Sequence, residues 1–106
     1  MIIVDEDATI GREPVYRVIV EHARDAGMAG ASAFRGIEGF GSSRHLHTSR
    51  ILSLADNLAM MIVIIDSAQA VDAFVEHLVE LGVRGIVAID DVEVVQPTSA
   101  STGSNR

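Results

Sequence analysis

The residues best suited to bind a ligand lie in one short segment, residues 35–50. Arg35, Arg44 and Arg50 oppose the single acid Glu38 there, which gives the segment a formal charge of +2 in a chain whose net charge is −7. Guanidinium groups bind anions through paired donors, and glycines let backbone N–H groups converge on the same anion. The pattern predicts an anion-binding loop for a nucleotide or another phosphorylated metabolite.

The glycines and serines of this segment are compatible with phosphate binding but do not form a specific nucleotide motif. Gly36, Gly39 and Gly41 do not have the spacing of a dinucleotide fingerprint. Ser42 and Ser43 could complete a phosphate cradle with their hydroxyls. The alternative is a loop whose arginines pair with acidic surface on a neighbouring subunit.

His45 and His47 are the candidates for metal ligands. One residue separates them, so an extended backbone places both imidazoles on the same side. Asp56 is the nearest candidate for a third ligand, and the chain has no cysteine to supply a thiolate. The alternative is a pair of histidines that are solvated or contact phosphate. We expect neither a resident metal nor an organic cofactor.

The sequence does not predict an enzyme. Ser42 and Ser43 lie near histidines, but a hydrolytic triad needs a fixed elbow and a buried acid, which a glycine-rich loop does not supply. The acids Asp90, Asp91 and Glu93 have no paired base or nucleophile. Tyr16 is the only tyrosine, and we expect it to pack against or cap a contact between subunits.

Two strand–helix–strand units must position these residues. Apolar residues recur at spacings of three and four after Pro14 and again after Ser67, the expected N-cap of the second helix. Gly27 and Gly82 end the two helices. The strands are expected at residues 1–4, 29–34, 58–65 and 86–95, with a loop at 5–12 and a long loop with extended arms at 36–48.

The two helices leave through the same pattern. Asp25–Ala31 and Glu80–Ile86 both read acid, apolar, glycine, two residues, glycine, apolar. Right-handed crossovers in both units predict the α+β class. The expected fold is a ferredoxin-like βαββαβ sandwich, an antiparallel sheet with two helices on one face. His22 and His77 are expected on these helices as isolated residues at the surface. Asp72, Glu76 and Glu80 are expected as a solvated acidic ridge on the second helix.

Composition limits the architecture, the partners and the location. The 106 residues, 48% of them apolar, suit one domain at residues 1–95, and the polar residues 96–106 read as a disordered tail. An acidic chain without lysine is not expected to bind nucleic acid. No apolar run reaches the roughly 20 residues of a membrane span, and the first residues lack the basic start of a secretory signal. We therefore expect a cytoplasmic protein.

The third expected strand predicts self-association. Residues 58–65 are apolar without alternation, so both faces of this strand should be buried. Two helices on one side cover only one face, and a second copy of the chain could cover the other. The alternative is a monomer that exposes three or four aliphatic side chains.

Several motifs resemble the bacterial and archaeal family named domain of unknown function 190, over residues 1–95. The most specific is Arg35–Gly41, RGIEGFG, followed by His47 and Thr48. Further matches are Pro14–Tyr16, Ala23–Ala31 and Ile65–Ser67. That family is similar to the nitrogen-regulatory PII signalling proteins, which carry Gly-Phe-Gly at the foot of their effector loop, where this chain has Gly39–Gly41.

The resemblance implies a PII-like homotrimer with ligand clefts between subunits. It also implies that residues 42–50 correspond to the loop by which PII proteins contact their partners. Members of this family are often associated with small fluoride-channel proteins, so the resemblance implies a membrane channel or transporter as partner. The PII segments that clamp phosphate have no counterpart here, so the resemblance implies the trimer but not ATP as effector. The expected effector-binding residues are Arg35, Gly39, Phe40, Gly41, Ser42, Ser43, Arg44, His47 and Arg50.

The expected function is therefore that of a regulatory protein that binds a small anion and signals through residues 42–50. The alternative is a trimeric protein of ion homeostasis. It would bind a metal as a relative of copper-tolerance proteins, or act beside a fluoride channel.

Overall fold

A computed structural model of the chain describes residues 1–40, 47–48 and 58–96. These residues form two helices and eight short strands. In chain order they are β1 (Ile2–Asp5), β2 (Thr9–Ile10), β3 (Glu13–Pro14), α1 (Val15–Asp25), β4 (Ser32–Arg35), β5 (Glu38–Gly39), β6 (His47–Thr48), β7 (Ala59–Val63), α2 (Ala68–Leu81) and β8 (Ile86–Val87).

Four of these strands form the main sheet, in the order β4-β7-β1-β8. Every neighbouring pair is antiparallel, with Ile3 opposite Met61 on one side and Ile86 on the other. The strands from the two halves of the chain are interleaved, and a helix separates each half's two strands. The predicted α+β class, with two helices and an antiparallel sheet, is confirmed.

Both helices pack on the same face of the sheet. The side chains of β1 and β7 alternate, and Ile2, Val4, Met60 and Ile62 are their buried members. These four residues form one apolar cluster with residues of both helices. Fully burying an aliphatic side chain contributes about 1.5–3 kcal/mol, so this cluster holds the helical layer on the sheet. Its helical members are Val15, Ile19, Ala23, Phe74 and Leu78.

The two helices end in the same way, as the repeated pattern predicts. Gly27 and Gly82 have φ of 76° and 82°, the left-handed conformation that glycine adopts without steric cost. The residue after each glycine donates its N–H to a carbonyl five positions earlier, Met28 to Ala23 and Val83 to Leu78, both at 3.1 Å. This is the Schellman closure of a helix.

The start of α2 also follows the prediction. Ser67 is its N-cap, and the hydroxyl oxygen accepts a hydrogen bond from the N–H of Ala70 at 3.2 Å. That bond satisfies one of the N–H groups that the first helical turn leaves without a partner.

Two predicted segments differ in the structure. Within the expected loop 5–12, β2 begins a small hairpin with β3, which turns at Gly11, where φ is 62°. The expected strand 86–95 is in the ladder only at Ile86–Val87. One further hydrogen bond follows the ladder, from the N–H of Ala88 to the carbonyl of Met1 at 2.8 Å.

The face of the sheet opposite the helices carries an apolar row, which we call the open-face row. It consists of Ile86, Ile3, Met61 and Phe34, which stand opposite one another across all four strands. Phe34 is 51% exposed and Ile86 is 62% exposed. On β7 itself, Ala59 is exposed on this face. Within the described part of the chain, the second face of the central strand is therefore not buried.

Candidate effector-binding site

The chain leaves the edge strand β4 and forms a short two-stranded arm. The arm consists of β5 and β6, with Glu38 opposite Thr48 and Gly39 opposite His47. The extended arms expected in the long loop are confirmed at these residues. The pairing brings the backbones of two expected site residues, Gly39 and His47, directly across from each other.

Gly36 fixes the base of the arm against the central part of the sheet. Its N–H donates to the carbonyl of Ala59 at 2.7 Å, one residue after β4 ends. A Cβ at this position would lie 3.2 Å from that same carbonyl oxygen, closer than most side chains are found. Glycine therefore permits the close approach that joins the arm to the start of β7.

Arg35, the last residue of β4, is held in an ion pair. Its Nε lies 2.8 Å from Oε2 of Glu6, and the two side chains are 54% and 30% exposed. Glu6 follows β1, and its own N–H donates to the carbonyl of Leu58 at 2.7 Å. The pair thus lies at the end of the sheet where β1 and β4 end and β7 begins.

This ion pair leaves Arg35 able to bind an anion. A guanidinium carries five N–H donors in a planar fork, and the contact to Glu6 uses Nε. Exposed ion pairs contribute about 1 kcal/mol or less, so an anion that offers a bidentate contact can compete for the side chain.

Apolar side chains at the arm are exposed. Phe40 follows β5 and is 65% exposed, and Ile37 precedes β5 and is also exposed. Phe40 is an expected site residue, and its ring is accessible to a ligand or to a partner protein. Exposed apolar groups beside a charged group are typical of a contact surface.

The remaining expected site residues lie outside the described part of the chain. They are Gly41, Ser42, Ser43, Arg44 and Arg50. The metal candidate His45 and its possible third ligand Asp56 also lie outside it, and His47 is described only by its backbone. In the described ranges, no group of three or more histidine, aspartate or glutamate residues is arranged to hold a metal.

Asp66 shapes the opposite end of the sheet. Its carboxylate accepts hydrogen bonds from the N–H of Ala29 at 2.9 Å and the N–H of Ser67 at 2.7 Å. These two donors lower the pKa of Asp66 below its ordinary value. The sequence places Asp66 beside a helix start but does not indicate that it contacts Ala29, because the two are far apart in the chain.

His22 and His77 are not isolated, contrary to the sequence-based expectation. Nδ1 of His22 lies 2.9 Å from Nε2 of His77, and both rings are half-buried between α1 and α2. Each histidine immediately precedes a core residue, Ala23 or Leu78, and that helical position is the only sequence signal that they face inward. Fifty-five positions separate them, so no spacing rule pairs them.

Comparison with known proteins gives a family and curated relatives. Residues 1–94 match the family DUF190, described as Uncharacterized ACR. A UPF0166 protein of Aquifex aeolicus (strain VF5) is 29% identical over 94 residues, which is 89% of this chain and 89% of that protein. Across the residues that the structure describes, neither helix combines the length and the apolar character that crossing a bilayer requires.

Proposed function

This chain belongs to the DUF190 family, as its motifs predict, and we propose that it is a PII-like regulatory protein. It assembles as a homotrimer and binds a small anionic effector, such as a nucleotide, in clefts between subunits. It signals to a partner protein through residues 42–50. The observation that carries this proposal is the open-face row.

The strand order supports the finer fold of this proposal. Among the four strands of the main sheet, the first and third in the chain, β1 and β7, are central, while the second and fourth, β4 and β8, are at the edges. That is the order of a split βαβ or ferredoxin-like sheet. Both helices pack on one face, as two crossovers of the same hand require.

The open-face row supports self-association. It spans the full width of the sheet, and its outer members Phe34 and Ile86 are more than half exposed. Soluble monomers rarely leave a contiguous apolar patch of this kind in water, since covering it lowers the free energy. A second copy of the chain offers an equally apolar sheet face, which makes it the most economical cover.

The position of the arm supports a ligand cleft at the boundary between subunits. The arm leaves the sheet at β4, which is an edge strand, and its base is hydrogen-bonded to Ala59 of the central strand β7. Copies that pack through their open faces would place this edge at the border of the interface. Arg35, at the end of β4, then supplies the anion-binding guanidinium there.

The effector would act by competing with Glu6 for Arg35. An anion that takes the guanidinium weakens the ion pair, and Arg35 lies only three residues before β5. The arm would reposition around the anion, and such a rearrangement is an established way for a ligand to change a binding surface. The bound anion thereby changes the surface offered to a partner, which we expect to include a channel or transporter of the membrane. The proposed role needs no catalysis and is set in the cytoplasm.

The test combines assembly and ligand binding on the full chain. Sedimentation velocity at micromolar concentration measures the assembly. Thermal-shift measurements with nucleotides, cyclic dinucleotides, bicarbonate and fluoride then search for the effector, because a ligand of the folded state raises the melting temperature by mass action. We expect an oligomer and a stabilising anion. A lone particle of 11.3 kDa would contradict the proposal.

The site is tested with arginine variants. Arg35→Ala, Arg44→Ala and Arg50→Ala should each lower the affinity for that anion and its salt dependence, because each removes a charge from the site. Arg12→Ala is the matched control, since Arg12 is an exposed arginine in the β2–β3 turn. If the Arg35, Arg44 and Arg50 variants bind the anion as tightly as Arg12→Ala does, this site is excluded.

A further inference from the structure

We propose that His22 and His77 form a binding site for a divalent transition-metal ion, Cu²⁺ or Ni²⁺, between α1 and α2. The site lies in the helical layer, whereas the proposed effector site lies at an end of the sheet and on the arm. Its ligands are also different residues from His45 and His47, the metal candidates that the sequence suggests.

The distance between the two ring nitrogens already suits one metal ion. Nδ1 of His22 and Nε2 of His77 are 2.9 Å apart. Metal–imidazole bonds are about 2.0–2.1 Å long, so two nitrogens bound at a right angle to one ion lie about 2.9 Å apart. Right-angled ligands are typical of the tetragonal geometry of Cu²⁺ and Ni²⁺.

The rings need only to rotate, because their helices are fixed. The ring centroids are 4.9 Å apart and the planes are inclined at 45°. Metal binding requires rotation about the side-chain bonds, so that both lone pairs face one point between the helices. His22 and His77 adjoin the buried residues Ala23 and Leu78, which pack in the same core cluster. The backbone positions are therefore held before a metal arrives, which lowers the entropy cost of binding.

The electrostatic surroundings favour a cation. Asp25 and Glu80 follow the two histidines by three positions on their helices, so each lies on the same helix surface as its histidine. The carboxylate of Asp25 is also 3.7 Å from Nε of Arg24, so Glu80 contributes the larger negative potential. The whole chain has a net charge of −7. These carboxylates add negative potential near the site rather than ligands, since the described residues contain no group of three metal-binding side chains.

Two protein ligands define the kind of site. Water or a small anion would complete the coordination, so the metal exchanges readily and the affinity is modest. With two imidazoles and no thiolate, divalent ions should bind in the order Cu²⁺ above Ni²⁺, with Zn²⁺ below Cu²⁺. A metal that replaces the single hydrogen bond between the rings also links one helix from each half of the chain.

The first test is calorimetric titration of the full chain with CuCl₂, NiCl₂ and ZnCl₂. The variants His22→Gln and His77→Gln should each have a lower Cu²⁺ affinity. Even loss of an outer-shell partner costs 10- to 100-fold in metal affinity, so we expect at least about a tenfold loss for a ligand. The doubly substituted control His45→Gln, His47→Gln should keep the affinity of the unsubstituted chain. Unchanged affinity in the first two variants, or loss in the control alone, would overturn the proposal.

A second measurement does not depend on whether the His22 and His77 variants fold. The electron paramagnetic resonance spectrum of the unsubstituted chain with one equivalent of Cu²⁺ should show two coordinated imidazole nitrogens. The same spectrum is expected from the His45→Gln, His47→Gln control, whose remaining histidines are His22 and His77. Fewer than two imidazole nitrogens in that control would contradict the site.

Discussion

The carboxylate of Asp66 accepts a hydrogen bond from the backbone N–H of Ala29, 37 positions earlier in the chain, at 2.9 Å. Ala29 lies in the connection from α1 to β4, and Asp66 lies between β7 and α2. The bond therefore joins the entrance of the edge strand to the exit of its central neighbour.

Stability should depend on this carboxylate at neutral pH and lose the dependence in acid. The hydrogen bonds from Ala29 and Ser67 place the pKa of Asp66 in the fold below its ordinary value of 3.8. The carboxylate then stabilises the fold fully above that ordinary value, and the contribution disappears as the pH falls through the lowered pKa. Asp66→Asn should lower the melting temperature at pH 7 by an amount that diminishes steadily below pH 4.

The control for this prediction is Asp7→Asn, which removes an exposed carboxylate from the turn after β1. Its melting temperature should follow that of the unsubstituted chain through the acid range. If Asp66→Asn behaves like Asp7→Asn at every pH, the two backbone hydrogen bonds do not stabilise the fold.

Two glycines at matching places in the repeated helix exit should respond differently to alanine. A Cβ on Gly85 would collide with the carbonyl oxygen of Ile3 and lie 2.9 Å from Cγ1 of Val4, whereas a Cβ on Gly30 has no atom within 4 Å. Gly85→Ala should lower the free energy of unfolding by about 1–3 kcal/mol, the range for overpacking. Gly30→Ala should change it by no more than about 0.5 kcal/mol. Urea denaturation of both variants measures the difference, and similar values would show that β8 can shift away from β1.

A charge on the open face should dissociate the proposed assembly. Phe34→Asp and Met61→Asp each place a carboxylate in the open-face row, where docking of a second copy would bury it without a partner. Sedimentation velocity should show a smaller particle for both variants. Val79→Asp is the control, because Val79 is a similarly apolar residue, 71% exposed, on α2. Dissociation by Val79→Asp alone would move the interface to the helical side.

Removing Glu6 should strengthen anion binding. Glu6→Gln keeps the size of the side chain but releases Arg35 from its carboxylate partner, 2.8 Å away. We expect tighter binding of the stabilising anion, while the free energy of unfolding changes by about 1 kcal/mol or less because the pair is exposed. Glu13→Gln, an exposed acid in β3, gives the effect of the same charge change elsewhere. Equal anion affinity in both variants would mean that Glu6 does not compete for Arg35.

Local patterns predict the helices and their ends well. The apolar spacing after Pro14 and Ser67 and the glycines at positions 27 and 82 are enough to locate α1 and α2 to within about a turn. These signals are local, since a helix makes its hydrogen bonds within its own sequence. The bounds of the two helices are therefore predicted more accurately than those of the last strand.

Long-range geometry explains what the sequence did not predict. Residues 86–95 have the composition of a strand, but only Ile86 and Val87 pair with β1, because pairing depends on contacts that composition does not specify. The contacts His22–His77 and Arg35–Glu6 depend on how the elements are placed in space. Charge and motif predict Arg35 as a site residue, whereas its carboxylate partner Glu6 follows only from the sheet register.

The hydrogen bond from Gly36 to Ala59 gives the proposed assembly a measurable property. The base of the arm and the strand that carries Met61 share this bond, so a ligand that repositions one of them alters the free energy of the other. Thermodynamic linkage is reciprocal: if the effector changes the association constant between subunits, association must in turn change the affinity for the effector, so the apparent affinity depends on protein concentration. Dilution, which dissociates the subunits, would then also change the state of the arm.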